Sequence, residues 1–225
     1  MKHLQLFENF KDIDAICKKY GITNYTINPD GTVDVDDLVD LFSRGLTKLP
    51  LKFGRVTGNF NCNHNQLTTL EGCPKEVGDS FYCNDNLLTT LEGSPKKVGE
   101  HFICNKNKLT TLKGCTEEVG GGFSCLLNEL ISLEGGPKKV GSFFDCSSNK
   151  LTSLEGYPKE LDGYFECWRN PIENIYNLFG SLKEFQDSMD YGYLRGTDII
   201  KLRFKEALEE IGVKLPKEIK GYNYI

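Results

Sequence analysis

Apolar and polar positions alternate along this chain in a pattern that repeats every 21 residues, with no insertion from Phe60 to Phe165. Phe60, Phe81, Phe102, Phe123, Phe144 and Phe165 mark one column; two places on stand Cys62, Cys83, Cys104, Cys125, Cys146 and Cys167. Three further come Asn65, Asn86, Asn107, Asn128, Asn149 and Asn170. The other apolar columns start at Val56, Leu67 and Leu70 and end at Leu161, Ile172 and Ile175. The unit is Val-x3-Phe-x-Cys-x2-Asn-x-Leu-x2-Leu-x-Gly-x-Pro-x2. A fixed period in this range means stacked units, each too small to bury its apolar face alone.

The spacing within the unit predicts its local structure. Phe-x-Cys alternates, so both side chains face one side of a short strand. Gly-x-Pro breaks helix and strand alike, which predicts an extended or turn-like far side. There is no room for a full helix in each coil. The Asn column has a use at the bend after the strand, where backbone N–H and C=O groups are left inside. A buried amide carries donors and an acceptor and can satisfy them, and stacking repeats it as a ladder. Running the period backwards places Val35, Val39, Leu41, Leu46 and Leu49 on the apolar columns, with Arg44 in place of Asn. The stack is therefore expected to have about seven coils.

The ends depart from the period. Ile13, Ile16, Cys17 and Tyr20 lie at helical spacing, with Gly21 as the stop. Tyr25-Thr26-Ile27 and Thr32-Val33-Asp34-Val35 flank Asn28-Pro29-Asp30-Gly31 and read as a hairpin. After Ile175, Ser181-Leu182-Lys183-Glu184 has capping-box spacing ahead of Phe185 and Met189. A second helix is expected from near Thr197, with Ile200, Phe204, Leu208 and Ile211 as its stripe and Gly212 and Pro216 ending it. The expected organisation is an N-terminal cap over 1–34, a repeat array over 35–177 and a helical C-terminal cap over 178–225.

Composition narrows the classes of function. Charged residues make up 26% and the net charge is −5, with basic residues interspersed among acidic ones, so the chain does not look built for nucleic acid. No apolar run approaches the ~18–20 residues of a membrane span, so no membrane partner is expected. Residues 1–10 lack an apolar core of signal-peptide length, which points to a cytoplasmic protein. Nine cysteines would suggest a disulfide scaffold in a secreted chain, but the number is odd and six occupy one column. In stacked strands about 4.8 Å apart that column reads as small inward hydrophobes. Asp30, Asp34, Asp36, Asp37 and Asp40 lack EF-hand spacing and read as a solvated edge, with calcium as the alternative. No metal site and no cofactor is expected.

The pattern resembles the leucine-rich repeat, LxxLxLxxNxL, with Phe and Cys in two of the Leu places. Asn86-Leu87-Leu88-Thr89-Thr90-Leu91 and Asn107-Lys108-Leu109-Thr110-Thr111-Leu112 carry the likeness, over roughly residues 35–177. It is closest to the short, Pro-containing bacterial type, and the Phe-x-Cys-x2-Asn variant is similar to repeat proteins of large tailed phages and some bacteria. The hairpin segment and the terminal Gly221-Tyr222-Asn223-Tyr224-Ile225 share in this likeness. The resemblance implies an α+β fold, a leucine-rich repeat solenoid with parallel strands on a concave face. Some bacterial repeat proteins of this kind carry a ubiquitin-ligase domain with a catalytic Cys, but no Cys follows residue 177.

Positions flanking Phe and Cys should face solvent on the strand side. They are His101, Phe143 and Tyr164 before Phe; Tyr82, Ile103, Asp145 and Glu166 after it; Leu126 and Trp168 after Cys; and Leu127 and Arg169 next. The early coils carry Asn59, Asn61, Asn63 and His64 instead. Exposed aromatics beside Arg are typical of binding hot spots. The alternative is that Trp168 and Tyr164 pack under the C-terminal cap. There is no phosphate loop, HExxH, GxSxG or CxxC. The expected function is non-enzymatic protein binding through Tyr82, His101, Ile103, Leu126, Leu127, Phe143, Tyr164, Trp168 and Arg169. The phage likeness implies a phage-encoded factor that captures a bacterial host protein, such as a defence or regulatory factor. A structural assembly component and a small-ligand or nucleotide sequestering protein are the alternatives.

Overall fold

The computed structural model describes residues 12–172, 175, 178–179, 194–195, 198–199, 201–219 and 223–225. Its body is a β-solenoid of parallel strands with a 21-residue step. Each coil contributes two strands, and these assemble into two sheets. The first sheet runs in order through Tyr25–Ile27, Val33–Val35, Phe53–Val56, Glu76–Val77, Lys97–Val98, Glu118–Val119, Lys139–Val140 and Glu160–Leu161. The second stacks Val39–Asp40, Phe60–Asn61, Phe81–Tyr82, Phe102–Ile103, Phe123–Ser124, Phe144–Asp145 and Phe165–Glu166. Register follows the period, pairing Phe60 with Phe81 and Phe81 with Phe102, and Val77 with Val98. Seven rungs in the second sheet make six steps of the period.

The first sheet is more order than the sequence pattern promised. The far side was expected to be extended or turn-like, yet the Val column and the residue before it pair from coil to coil. An unbroken period brings the same two backbone units into line in every rung, and parallel pairing satisfies their N–H and C=O groups.

The interior holds the expected columns. Phe60, Phe81, Phe102, Phe123 and Phe144 are fully buried, as are Cys62, Cys83, Cys104, Cys125 and Cys146, and the Leu columns close the third side. Neighbouring Phe rings in the run from Phe53 to Phe165 have centroids 5.0–6.0 Å apart. Such spacing adds aromatic pairing to burial.

Two bends close each coil. Between the sheets, Gly78, Gly99, Gly120 and Gly141 lie directly over one another. Their N–H groups donate to Val56, Val77, Val98 and Val119 of the rung below. A Cβ on Gly99 would overlap the carbonyl oxygen of Gly78, so this corner admits no side chain. After the second sheet the chain turns through a left-handed residue in every coil: Ser43, His64, Asp85, Lys106, Leu127, Ser148 and Arg169, with φ of 50–57°. The Asn two places behind Cys's neighbour fills that bend. Asn107 Nδ2 donates to the carbonyls of Cys83 (3.0 Å), Cys104 (3.1 Å) and Asn105 (3.2 Å), while its Oδ1 accepts from Leu88 N–H (3.0 Å). Asn86, Asn128, Asn149 and Asn170 repeat the arrangement. The amide ladder is as the sequence implied.

The N-terminal end matches expectation. Residues 12–20 are helical, and Gly21 N–H to Lys18 O with Ile22 N–H to Cys17 O closes the helix. The hairpin pairs Tyr25 with Val35 and Ile27 with Val33. Its second strand also pairs with Phe53–Val56, so it is at once cap and first rung. Of the acidic cluster, Asp34 Oδ1 accepts from Arg55 N–H and Asp40 Oδ1 from Phe42 N–H and Asn61 Nδ2. Asp30 accepts from both the N–H and the hydroxyl of Thr32, which holds its carboxyl below the usual range. Those carboxylates work as turn and rung acceptors.

The C-terminal end is not purely helical. A helix spans Lys201–Glu210, burying Phe204, Ala207 and Leu208. Beside it, Asp198–Ile199 pairs antiparallel with Leu194–Arg195 and parallel with Asn223–Tyr224. Sequence periodicity gave no sign of these two-residue strands. The capping-box segment 181–184 with Phe185 and Met189, and also Thr197 and Ile200, lie outside the described residues. The buried apolar residues form one cluster that runs from Cys17 through the array to Ile219.

Candidate partner-binding face

Alternation along each second-sheet strand turns Phe and Cys inward and their neighbours outward. In the columns before Phe and after Cys, the first three full rungs carry polar neighbours that hold the next rung, whereas the lowest rung exposes Leu38 (51%) and Phe42 (47%) there. Asn59 Oδ1 accepts from Ser80 N–H (3.0 Å), Ser80 Oγ from His101 N–H (3.2 Å), and His101 Nδ1 from Gly122 N–H (2.8 Å). The His101 proton is thereby assigned to Nε2. In the column after Cys, Asn63 Oδ1 accepts from Asn84 N–H (2.8 Å) and Asn105 Oδ1 from Leu126 N–H (3.0 Å).

Both ladders stop at the fourth full rung. Gly122 has no side chain to pass the bond on. The Phe143 ring instead lies over it, in space a Cβ would take. Phe143 bridges His101 (centroids 5.6 Å apart) and Tyr164 (5.6 Å, stacked). In the other column Leu126 replaces the amide, and Ser147 N–H goes to Asp145 Oδ1 of its own strand (2.9 Å). From here upward the face presents apolar and aromatic side chains beside the carboxylates of Asp145 and Glu166.

The expected site residues fall into two groups. Leu126, Leu127, Phe143, Tyr164, Trp168 and Arg169 share the upper rungs; Leu127 is 43% exposed, Tyr164 59% and Trp168 50%. At this exposure neither Tyr164 nor Trp168 is covered by the described residues of the C-terminal end. Tyr82 and Ile103 are half-buried register partners lower down, separated from the upper group by the buried Ser124. His101 is half-buried and committed to Gly122 and Phe143.

Two features escaped the sequence reading. Ile131 is 63% exposed where equivalent coils carry Thr89 and Thr110, a departure that the columns do display. Ser147, only 6% exposed between Leu126 and Trp168 in its column, has a buried hydroxyl with no hydrogen-bond partner among the described residues. No pattern of residue types signals such an orphan.

The thiols offer no reactive centre on this face. Burial pushes Cys62 up to about 12, and holds Cys83, Cys104, Cys125 and Cys146 well above the ordinary range. Among the described residues, no group of three or more His, Cys, Asp or Glu side chains is arranged to hold a metal ion, and no helix is long and apolar enough to cross a membrane. Grooves of about 600 Å³ beside Ile13 and Pro50, and about 380 Å³ beside Pro137 and Tyr157, lie off the second-sheet face.

Fold and face together define a two-sheet parallel β-solenoid with an aromatic patch at one end of one sheet. In comparisons with known proteins, no family model, no curated protein and no solved structure matches the chain.

Proposed function

We propose that the protein is a non-enzymatic binding module that engages a partner protein through the outer face of its second sheet, at the upper rungs. The observation that carries this reading is the switch in that face from self-satisfying amide ladders to exposed Leu127, Tyr164 and Trp168. None of these is needed by the interior, which is complete without them. Aromatic and aliphatic side chains held on a stiff sheet lose little freedom on docking, which favours them as anchors. The likeness to phage repeat proteins makes a bacterial host protein, a defence or regulatory factor in the cytoplasm, the partner to test first.

Replacing Tyr82, Leu126 and Trp168 together by Ala tests the proposal. The expected result is loss of one co-purifying protein in affinity capture, with circular dichroism and unfolding midpoint close to those of the parent. An unchanged set of captured proteins would count against the face. Concentration-dependent self-association in light scattering would favour an assembly role instead.

A further inference from the structure

We propose that the upper rungs receive an arginine side chain, carried on a basic and partly apolar segment of the partner. This rests on reading the second-sheet face as protein-binding, and it names what that face recognises. In the fifth and sixth full coils Phe144, Cys146 and Cys167 point inward, so Asp145 and Ser147 of one coil and Tyr164, Glu166 and Trp168 of the next stand outward. Asp145 and Glu166 are register partners on adjacent parallel strands, which sets their Cα atoms about 4.8 Å apart. Two half-buried carboxylates thus lie side by side, with the rings of Tyr164 and Trp168 two positions either way from Glu166.

Each group in this cluster attracts a cation. Asp145 gives one oxygen to Ser147 N–H and keeps the rest of its acceptor capacity. Ser147 adds a nearly buried hydroxyl that no described group satisfies. Unpaired polar atoms at such depth are costly, and a donor brought in by a partner would relieve the cost. The rings supply π faces. Charge over the whole face agrees. On its outward and turn columns Asp40, Asp85, Asp145 and Glu166 stand against Lys106 and Arg169, and Lys106 already pairs with Asp85 at 3.6 Å. Arg169 sits at the rim, on the turn beyond Trp168, and leaves the surplus negative. A planar guanidinium can stack on an aromatic ring while its edge donates to carboxylate and hydroxyl oxygens; an ammonium can do only part of this. Nucleic acid would be repelled.

Trp168 is the chain's single tryptophan, so its emission reads this site alone. The probe is blocked tri-arginine peptide, with the tri-citrulline peptide as a neutral analogue of the same shape, titrated into the full chain near physiological salt. The expected result is a saturable change in Trp168 emission with tri-arginine, at least tenfold weaker with tri-citrulline and at least tenfold weaker in the Asp145→Asn/Glu166→Gln variant. Glu166→Gln alone, which keeps the Asp145–Ser147 bond, should show a smaller weakening and serves if the double variant unfolds. No saturable change, an equal response to tri-citrulline, or undiminished binding by folded Glu166→Gln and double variants would overturn the proposal. Partner capture separates the two claims. If the Tyr82/Leu126/Trp168 variant loses its partner while Glu166→Gln keeps it, the face stands and the arginine site falls. If the triple variant keeps its partner, the reading of the face falls first.

Discussion

Asn107 shows how a single side chain is put to use at every coil of this molecule. Its amide serves three carbonyls and one N–H drawn from two successive coils, in a bend nearly closed to water. Replacing it by Ala leaves those groups without partners, and buried orphans cost about 1–3 kcal/mol each. Relaxation of the bend recovers part of that. Asn107→Ala is expected to lose about 3 kcal/mol in urea unfolding. A loss near zero would mean that the bend is hydrated. The column of buried thiols makes a different prediction, in pH. Cys62 has an ordinary value near 9 when exposed and is pushed up to about 12 by burial. The folded state therefore holds its proton longer, and the stability this brings is complete below pH 9 and drains away as pH rises toward 12. One unit above 9, Cys62 alone should cost about 1.4 kcal/mol, and the other buried thiols of the column act in the same direction. Thermal unfolding followed from pH 7 to 10.5 should show a flat region and then a steep fall. A Cys62→Val variant should soften that fall.

The coil is the element that matters, and its tightest point is the corner between the two sheets. Gly78, Gly99, Gly120 and Gly141 stack backbone on backbone, each carbonyl occupying the space where the next residue's Cβ would be. Gly99→Ala must push two rungs apart, and is expected to cost about 3 kcal/mol. Gly31→Ala is the instructive comparison: it strains a positive φ of 81° but meets no neighbour, so its cost should be about 1 kcal/mol. Equal losses in the two variants would argue against the close stacking. This corner also marks the limit of what the pattern revealed. The Phe, Cys, Leu and Asn columns were legible because burial and the bend each demand one residue type. The Gly column stands in the sequence equally plainly, but a small residue does not say whether it serves a turn, a bulge or a close approach. The first sheet was hidden for a related reason. Its two-residue strands carry one inward Val apiece, too short for alternation to appear. At the C-terminal end, Asp198–Ile199 also pairs with Asn223–Tyr224, 25 positions further on, which no local periodicity encodes.

At the scale of the whole molecule, a stiff stack fixes which side chains can meet a partner. Leu127 is turned out by the left-handed bend, but alternation was enough to place Tyr164 and Trp168 outward. It could not show that the lower-rung polar residues are consumed by their own neighbours, because that depends on which side chain reaches which N–H. The same blindness hid the Ser147 hydroxyl. The result is an uneven face: the middle rungs are internally satisfied, the lowest exposes Leu38 and Phe42, and the upper ones keep apolar, aromatic and acidic groups turned to water. The whole functional reading depends on that upper patch being open in the free protein. Acrylamide quenching of Trp168 in the native chain tests it most directly, since no other tryptophan contributes. The account predicts red-shifted emission and efficient quenching, at least half of that seen after unfolding in urea. Blue-shifted emission resistant to acrylamide would put the indole beneath the C-terminal end and contradict it.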